Sequence, residues 1–308
     1  MITACAAILS ACNPAPTGTA PSVADANSSP STPAQSASAE QIQANNAAIN
    51  DWFENVFNDA IMRSPIAQTY QGIRGSDYGK WDKRTQANAQ KELQISKDLL
   101  AEMRATFDPK TLGESEAVSY SLMEQSLLDE IEGFKWRHHG YPFNQMFGAH
   151  SSTPALLINQ HIVTDKKDAQ AYISRLNTIP EYMGQVVQWS NDNANLGVQP
   201  PKFVYDQLLD DIGNLLKGAP FDDGEPSALL ADFTKKVNAL EIPDGEKTDL
   251  LNQAKSALTH GFKPAYEKLI AALEAQSKTA GTDDGVWRLP DGGKFYKYRL
   301  KQITTTDL

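Results

Sequence analysis

Ile49-Asn50-Asp51-Trp52-Phe53-Glu54-Asn55-Val56-Phe57-Asn58-Asp59-Ala60 is the stretch on which the fold class turns. Its apolar residues Ile49, Trp52, Phe53, Val56, Phe57 and Ala60 recur at intervals of three and four. That spacing stacks side chains on one face of an α-helix, whereas a strand, with its period of two, would scatter them over both faces. The pattern predicts a helix over 39–62, ended by Ser64-Pro65 because the residue before a proline is driven out of the α region.

The same period continues outward. A glycine-punctuated connection from Gly72 to Lys80 leads to a helix expected from Trp81-Asp82, with Asp82 as its N-cap, to about Phe107, closed by Asp108-Pro109. The next, over 113–138, sets Val118, Leu122, Gln125, Asp129 and Glu132 among apolar neighbours and is broken by Gly140-Tyr141-Pro142. Residues 141–165 read as irregular, and Asn144-Gln145-Met146-Phe147-Gly148-Ala149-His150-Ser151 is the best loop for a functional surface. A helix over 168–193 is either kinked at Pro180 or divided there into a hairpin. Helical patterns follow through Phe203, Leu208, Ile212 and Leu215-Leu216, then over 226–240 and 244–277, the last kinked at Gly261 and Pro264.

One segment departs from this period. After Trp287-Arg288-Leu289-Pro290-Asp291-Gly292, the run Phe295 to Thr306 is dense in aromatic and β-branched residues and reads as a β segment. The expected fold is therefore mainly α, a multi-helix array or bundle with a short β segment at the C-terminus, forming an incomplete domain.

At the other end, Met1 to Cys12 (MITACAAILSAC) is apolar but far too short to span a bilayer. It closes with Leu9-Ser10-Ala11-Cys12, which resembles a bacterial lipobox: small residues fit the signal peptidase, and Cys12 carries the lipid. Residues 1–12 are thus expected to be a lipoprotein signal peptide, with Cys12 as the attachment site. No Lys or Arg precedes Cys12, which points to a start codon inside a longer signal; the alternative is a frayed apolar start with two incidental cysteines. Residues 13–39 hold Pro14, Pro16, Pro21, Pro30 and Pro33 among Ser, Thr, Ala and Asn, with Asp25 as the sole charge. They cannot bury enough apolar surface to offset ordering entropy and read as a disordered tether. The folded part, 40–308, contains no cysteine, hence neither disulfide nor thiolate metal ligand.

A net charge of −10 excludes nucleic acid as a partner, and the longest basic cluster, Lys135-Trp136-Arg137, is short. No His-Glu-x-x-His, Gly-x-Ser-x-Gly or phosphate-loop pattern is present. His138 and His139 point about 100° apart on a helix and are poor co-ligands; they read as a solvated helix end. His150 and His161 flank the irregular segment without a carboxylate at zinc-site spacing. Asp210-Asp211 and Asp222-Asp223-Gly224-Glu225 lack the alternating ligands of a calcium loop. No catalytic residue and no metal ligand is assigned in this chain. The cleft candidates are Asn144, Gln145, His150, His161, Tyr296 and Tyr298.

Four stretches in order, Tyr141-Pro142-Phe143-Asn144-Gln145 with Gly148, Ala171-Tyr172-Ile173-Ser174-Arg175-Leu176, Gly197-Val198-Gln199-Pro200-Pro201, and Gly285 through Leu308, resemble the bacterial domain-of-unknown-function family numbered 885. Its members are often lipoproteins. The resemblance covers the chain from about residue 45 onward and implies a helical protein similar to gluzincin-type zinc metallopeptidases. It implies a zinc-binding His-Glu helix in the C-terminal half, past Leu308, so zinc is expected only with that half and no catalytic residue carries over.

Two expectations result. The first is the N-terminal helical portion of a lipid-anchored envelope protein, attached through Cys12 on the periplasmic or extracellular side. In it, 144–161 and a strand near 296–306 would line a peptide cleft, and this portion alone would be inactive and zinc-free. The second is a stand-alone, non-catalytic helical lipoprotein that binds peptides or envelope partners. The oligomeric state is left open.

Overall fold

A computed structural model describes residues 37–306. The lipobox, Cys12 and most of the expected tether lie outside the described residues. The N-terminal helices form where the periodicity places them: α1 (Ala39–Arg63), the short α2 (Pro65–Tyr70), α3 (Gln86–Thr106) and α4 (Glu114–Gly133). Ser38 accepts from the Gln41 N–H at the head of α1, and Ser64 accepts from the Ala67 N–H, so that Pro65 opens α2 rather than merely ending α1. Thr85, not Asp82, caps α3 by accepting from the Asn88 N–H. The Asp82 carboxylate instead accepts from Ser64 Oγ and the Ile66 N–H, which ties the connection back to the start of α2.

These helices share a small core of Ile49, Leu100, Met103, Leu112, Tyr120 and Leu127, with Trp52 set edge-on to Phe53 and Phe107. The larger core belongs to the second half: α5 (Ala149–Asn159), α6 (Lys166–Asn195), α7 (Phe203–Leu215), α8 (Ala228–Asn238), α9 (Asp244–Ala257) and α10 (Lys263–Ser277). At its centre α6 buries Ala169, Tyr172, Ile173, Leu176, Ile179, Tyr182, Met183 and Val186 on one stripe. Each fully buried large side chain in that stripe stabilises the fold by about 1.5–3 kcal/mol.

Prolines inside helices shape how these elements meet. Proline lacks an N–H, so it releases the carbonyl four residues earlier. Pro154 lies within α5, and the carbonyl it frees, His150 O, accepts from the Tyr266 hydroxyl of α10 at 2.8 Å. Pro180 lies within α6, which continues through it as one helix. The carbonyl it frees belongs to Leu176, and the π-type turn Leu258–Phe262 between α9 and α10 crosses there. A Cβ on Gly261 would stand 2.6 Å from Leu176 O, so only glycine permits this approach.

The expected C-terminal β segment is not seen: Gly292–Thr304 is an α-helix, α11, and the described residues contain isolated bridges but no strand. Tertiary packing overrides the strand propensity of its aromatics. Phe295, Tyr298 and Gln302 fall at helical spacing; Phe295 and Tyr298 pack against Trp136 at the end of α4, and the Tyr298 hydroxyl donates to Asp129 O. Charge agrees with this seating, because α11 carries Lys294, Lys297, Arg299 and Lys301 with no acidic residue, whereas α4 carries acidic residues and no basic one.

Candidate functional site

The segment expected to be irregular splits into a tight loop and a helix. Asn144 Oδ1 accepts from the N–H groups of Met146 and Phe147 at 2.9 and 2.8 Å, and the Asn144 N–H donates to Phe147 O. This closes a turn whose tip leaves Gln145, Met146 and Phe147 exposed. Gly148 then enters α5, and a Cβ there would lie 2.8 Å from both Pro142 O and His150 Nδ1. His150 is buried beneath the loop, its Nδ1 lacks a hydrogen-bond partner, and burial lowers its pKa. The imidazole therefore lies close against the Gly148 turn.

His161 occupies a different neighbourhood. It is stacked on Tyr78, and its Nε2 lies 3.0 Å from Asp168 O. Its Nδ1 lies 3.1 Å from the Arg175 guanidinium. Arginine has only donors, so Nδ1 must be the acceptor and Nε2–H the donor, which fixes the neutral tautomer. Burial is the main cause that pushes the His161 pKa down to about 3.

Arg175 is the hub that the sequence pattern did not reveal. Its side chain is fully buried on α6 and donates to Lys80 O, Pro65 O and Thr69 Oγ1, the last at 2.6 Å, while its own carbonyl accepts from Trp81 Nε1. Tyr78 and Trp81 lie 5.4 and 5.3 Å from the guanidinium. Burial pulls its pKa down to about 10, leaving it charged at neutral pH. Next to it, Asp168 accepts from Thr164 and from Arg74 at 2.7 Å. Burial opposes its ionisation, yet these bonds prevail and hold its pKa below the ordinary value. The cluster fastens the connection between α2 and α3 to α6. The signal that could have found it is an arginine at position 175 in the apolar stripe Tyr172, Ile173, Leu176, Ile179, since a buried cation requires several acceptors.

The C-terminal candidates stand apart from both histidines. Tyr298 packs against α4, and Tyr296 is exposed on the opposite side of α11. Arg288 ties the segment to the 141–148 loop by donating to Tyr141 Oη, and it also donates to Gln199 O. His138 and His139 are half-buried and bonded rather than a fully solvated helix end: His138 bridges Gln86 and Asn193 while stacked on Trp189, and His139 Nε2 meets Pro290 O. Among the described residues, no hydrogen bond or ring contact joins the 144–150 group, His161 and the pair Tyr296 and Tyr298. Their named contacts define three neighbourhoods held by different partners.

A surface hollow of about 410 Å³ runs along α6 at Pro180, Gly184, Gln188 and Trp189, against Arg84 and Gln86. Its amides and carboxylates largely bond one another, as Gln185 does with Glu181 and Gln188 with Asp192. Among the described residues, no three His, Cys, Asp or Glu side chains could hold a metal ion, and no helix is long and apolar enough to cross a membrane. The arrangement can anchor, cap and pack.

The model of a bacterial protein family of unknown function (DUF885) matches residues 65–308. No curated protein matches the chain. Among solved structures, the crystal structure of "the putative lipoprotein from Colwellia psychrerythraea" matches with a TM-score of 0.65 at 15% identity, over 81% of this chain and 44% of that one. The chain thus spans less than half the length of the structure it resembles, and at that identity the likeness is one of fold.

Proposed function

From the premise that the chain belongs to the DUF885 family, we propose that it is the N-terminal helical portion of a longer, lipid-anchored protein of the bacterial envelope. The observation that carries this reading is the asymmetry of the fold match, which takes up 81% of this chain but only 44% of the lipoprotein structure. Hydrolytic chemistry of the zinc metallopeptidase type belongs, in this reading, to the remaining portion. There a metal-bound water would attack a peptide carbonyl. The present portion supplies a rigid wall of helices: the Arg175 cluster locks its upper connection, and the Met146-Phe147 tip offers apolar side chains to a peptide. Attachment runs through a lipid on Cys12, followed by the proline-rich tether.

The test is fractionation and assay of the protein as encoded. Wild type is expected in the membrane fraction and Cys12→Ser in the soluble fraction, and equal retention of both removes the anchor from the proposal. The 308-residue protein is expected to hold no stoichiometric zinc and to cleave no peptide, whereas the product of the whole gene should hold zinc and cleave peptides. Zinc bound tightly at one equivalent by the 308-residue protein would contradict the division of labour.

A further inference from the structure

The outward side of α11 carries an apolar row. Phe295, Tyr298 and Gln302 turn toward α4, and a second apolar row, Tyr296, Leu300 and Ile303, repeats at i, i+4 and i+7 on another side of the helix. Ile303 is 71% exposed and Tyr296 is also open to solvent. Just before the helix, Trp287 is 75% exposed on the turn Val286–Arg288 that packs against its start. Arg299 on one flank and Lys297 and Lys301 on the other border the row with positive charge.

Direction adds a second observation. As α11 advances from Phe295 to Tyr298, its contacts move back along α4, from Trp136 to Gly133 and Asp129, so the two helices run antiparallel. The next turns of α4 in that direction carry Leu122, 67% exposed, and Val118, also exposed. Single exposed apolar residues are ordinary, but a row at helical spacing beside exposed Trp287, with Leu122 and Val118 also exposed on the neighbouring helix, marks an interaction surface.

We infer that the outward row of α11, Tyr296, Leu300 and Ile303, is a docking seam for the remaining portion of the longer protein. The inference rests on the proposed function above. The occupant follows from the length of the related structure that this chain does not span and from the chemistry of the seam. It presents an apolar row edged by carboxylates that meet Lys297 and Arg299.

Amide hydrogen exchange over residues 296–304, compared between the 308-residue protein and the product of the whole gene, tests this directly. Exchange is expected to slow at least about tenfold in the longer product as the helix is covered. Ile303→Glu should lower the Tm of the longer product by about 3 °C or more and leave the 308-residue protein unchanged. A gene that ends at Leu308 overturns the functional reading and this inference together. A longer product with equal exchange and an indifferent Ile303→Glu overturns the inference alone. A dimer of the 308-residue protein that Ile303→Glu dissolves assigns the seam to a second copy and likewise overturns it.

Discussion

Acid should weaken this protein in a way that His161 dominates. Its folded-state pKa of about 3 lies far below the ordinary 6.5, so the folded state refuses a proton that the unfolded chain accepts. Above pH 6.5 the residue is neutral in both states and contributes no pH dependence. Below that value the unfolded state gains protons, and stability falls by about 1.4 kcal/mol per pH unit until the pH passes the folded pKa. Between pH 6.5 and 4.5 the loss from this residue alone is roughly 2–3 kcal/mol. The cause is geometric as well as dielectric, since protonating Nδ1 would turn the Arg175 bond into a clash of two donors. Urea unfolding of wild type and His161→Gln across pH 4.5–7.5 isolates the effect, because glutamine can accept from Arg175 and donate to Asp168 O without titrating. The stability difference between the two proteins should decline steadily in favour of the variant as pH falls. A difference that stays constant over the whole range would refute the buried, neutral His161.

Three further outcomes are expected. Gly261→Ala forces a methyl against Leu176 O and should cost about 1–3 kcal/mol in urea unfolding, with no change in the m-value. Arg175→Lys should be nearly as damaging as Arg175→Met, because a compact ammonium cannot span Lys80 O, Pro65 O, Thr69 Oγ1 and His161 Nδ1, which the guanidinium reaches from three separate nitrogens; limited proteolysis between residues 71 and 85 should report both. Tyr266→Phe leaves His150 O without its donor and should cost about 1–3 kcal/mol, again read from urea unfolding.

Helix positions were legible wherever apolar spacing ran long, as at Ile49 to Ala60 and along α6, because a buried stripe needs the 3.6-residue period. Boundaries were less legible. Asp82 has the chemistry of a cap and serves as one, but for α2 across the connection rather than for the helix that follows it. The C-terminal segment misled for a related reason: Phe295, Tyr296 and Tyr298 favour strands by composition, yet Phe295 and Tyr298 have a receiving surface, Trp136, that only a helix lets both reach. The candidate residues were the least legible. His150 and His161 look alike in sequence, and their roles depend on partners more than a dozen residues distant, Tyr266 for one and Arg175 for the other.

Apolar helix faces are tolerant of sliding, since one leucine fits a groove nearly as well as its neighbour one turn away. The carbonyls released by Pro154 and Pro180 are not tolerant in this sense. One fits a hydroxyl and the other fits a bare Cα, and a shift of one residue would present each with the wrong group. The stack of α5, α6 and α10 is thereby indexed at two points, like a shaft with two keys. A helix breaker here acts as an address, so exchanging either proline for alanine would loosen the choice among near-equal packings before it changed the strength of any one of them.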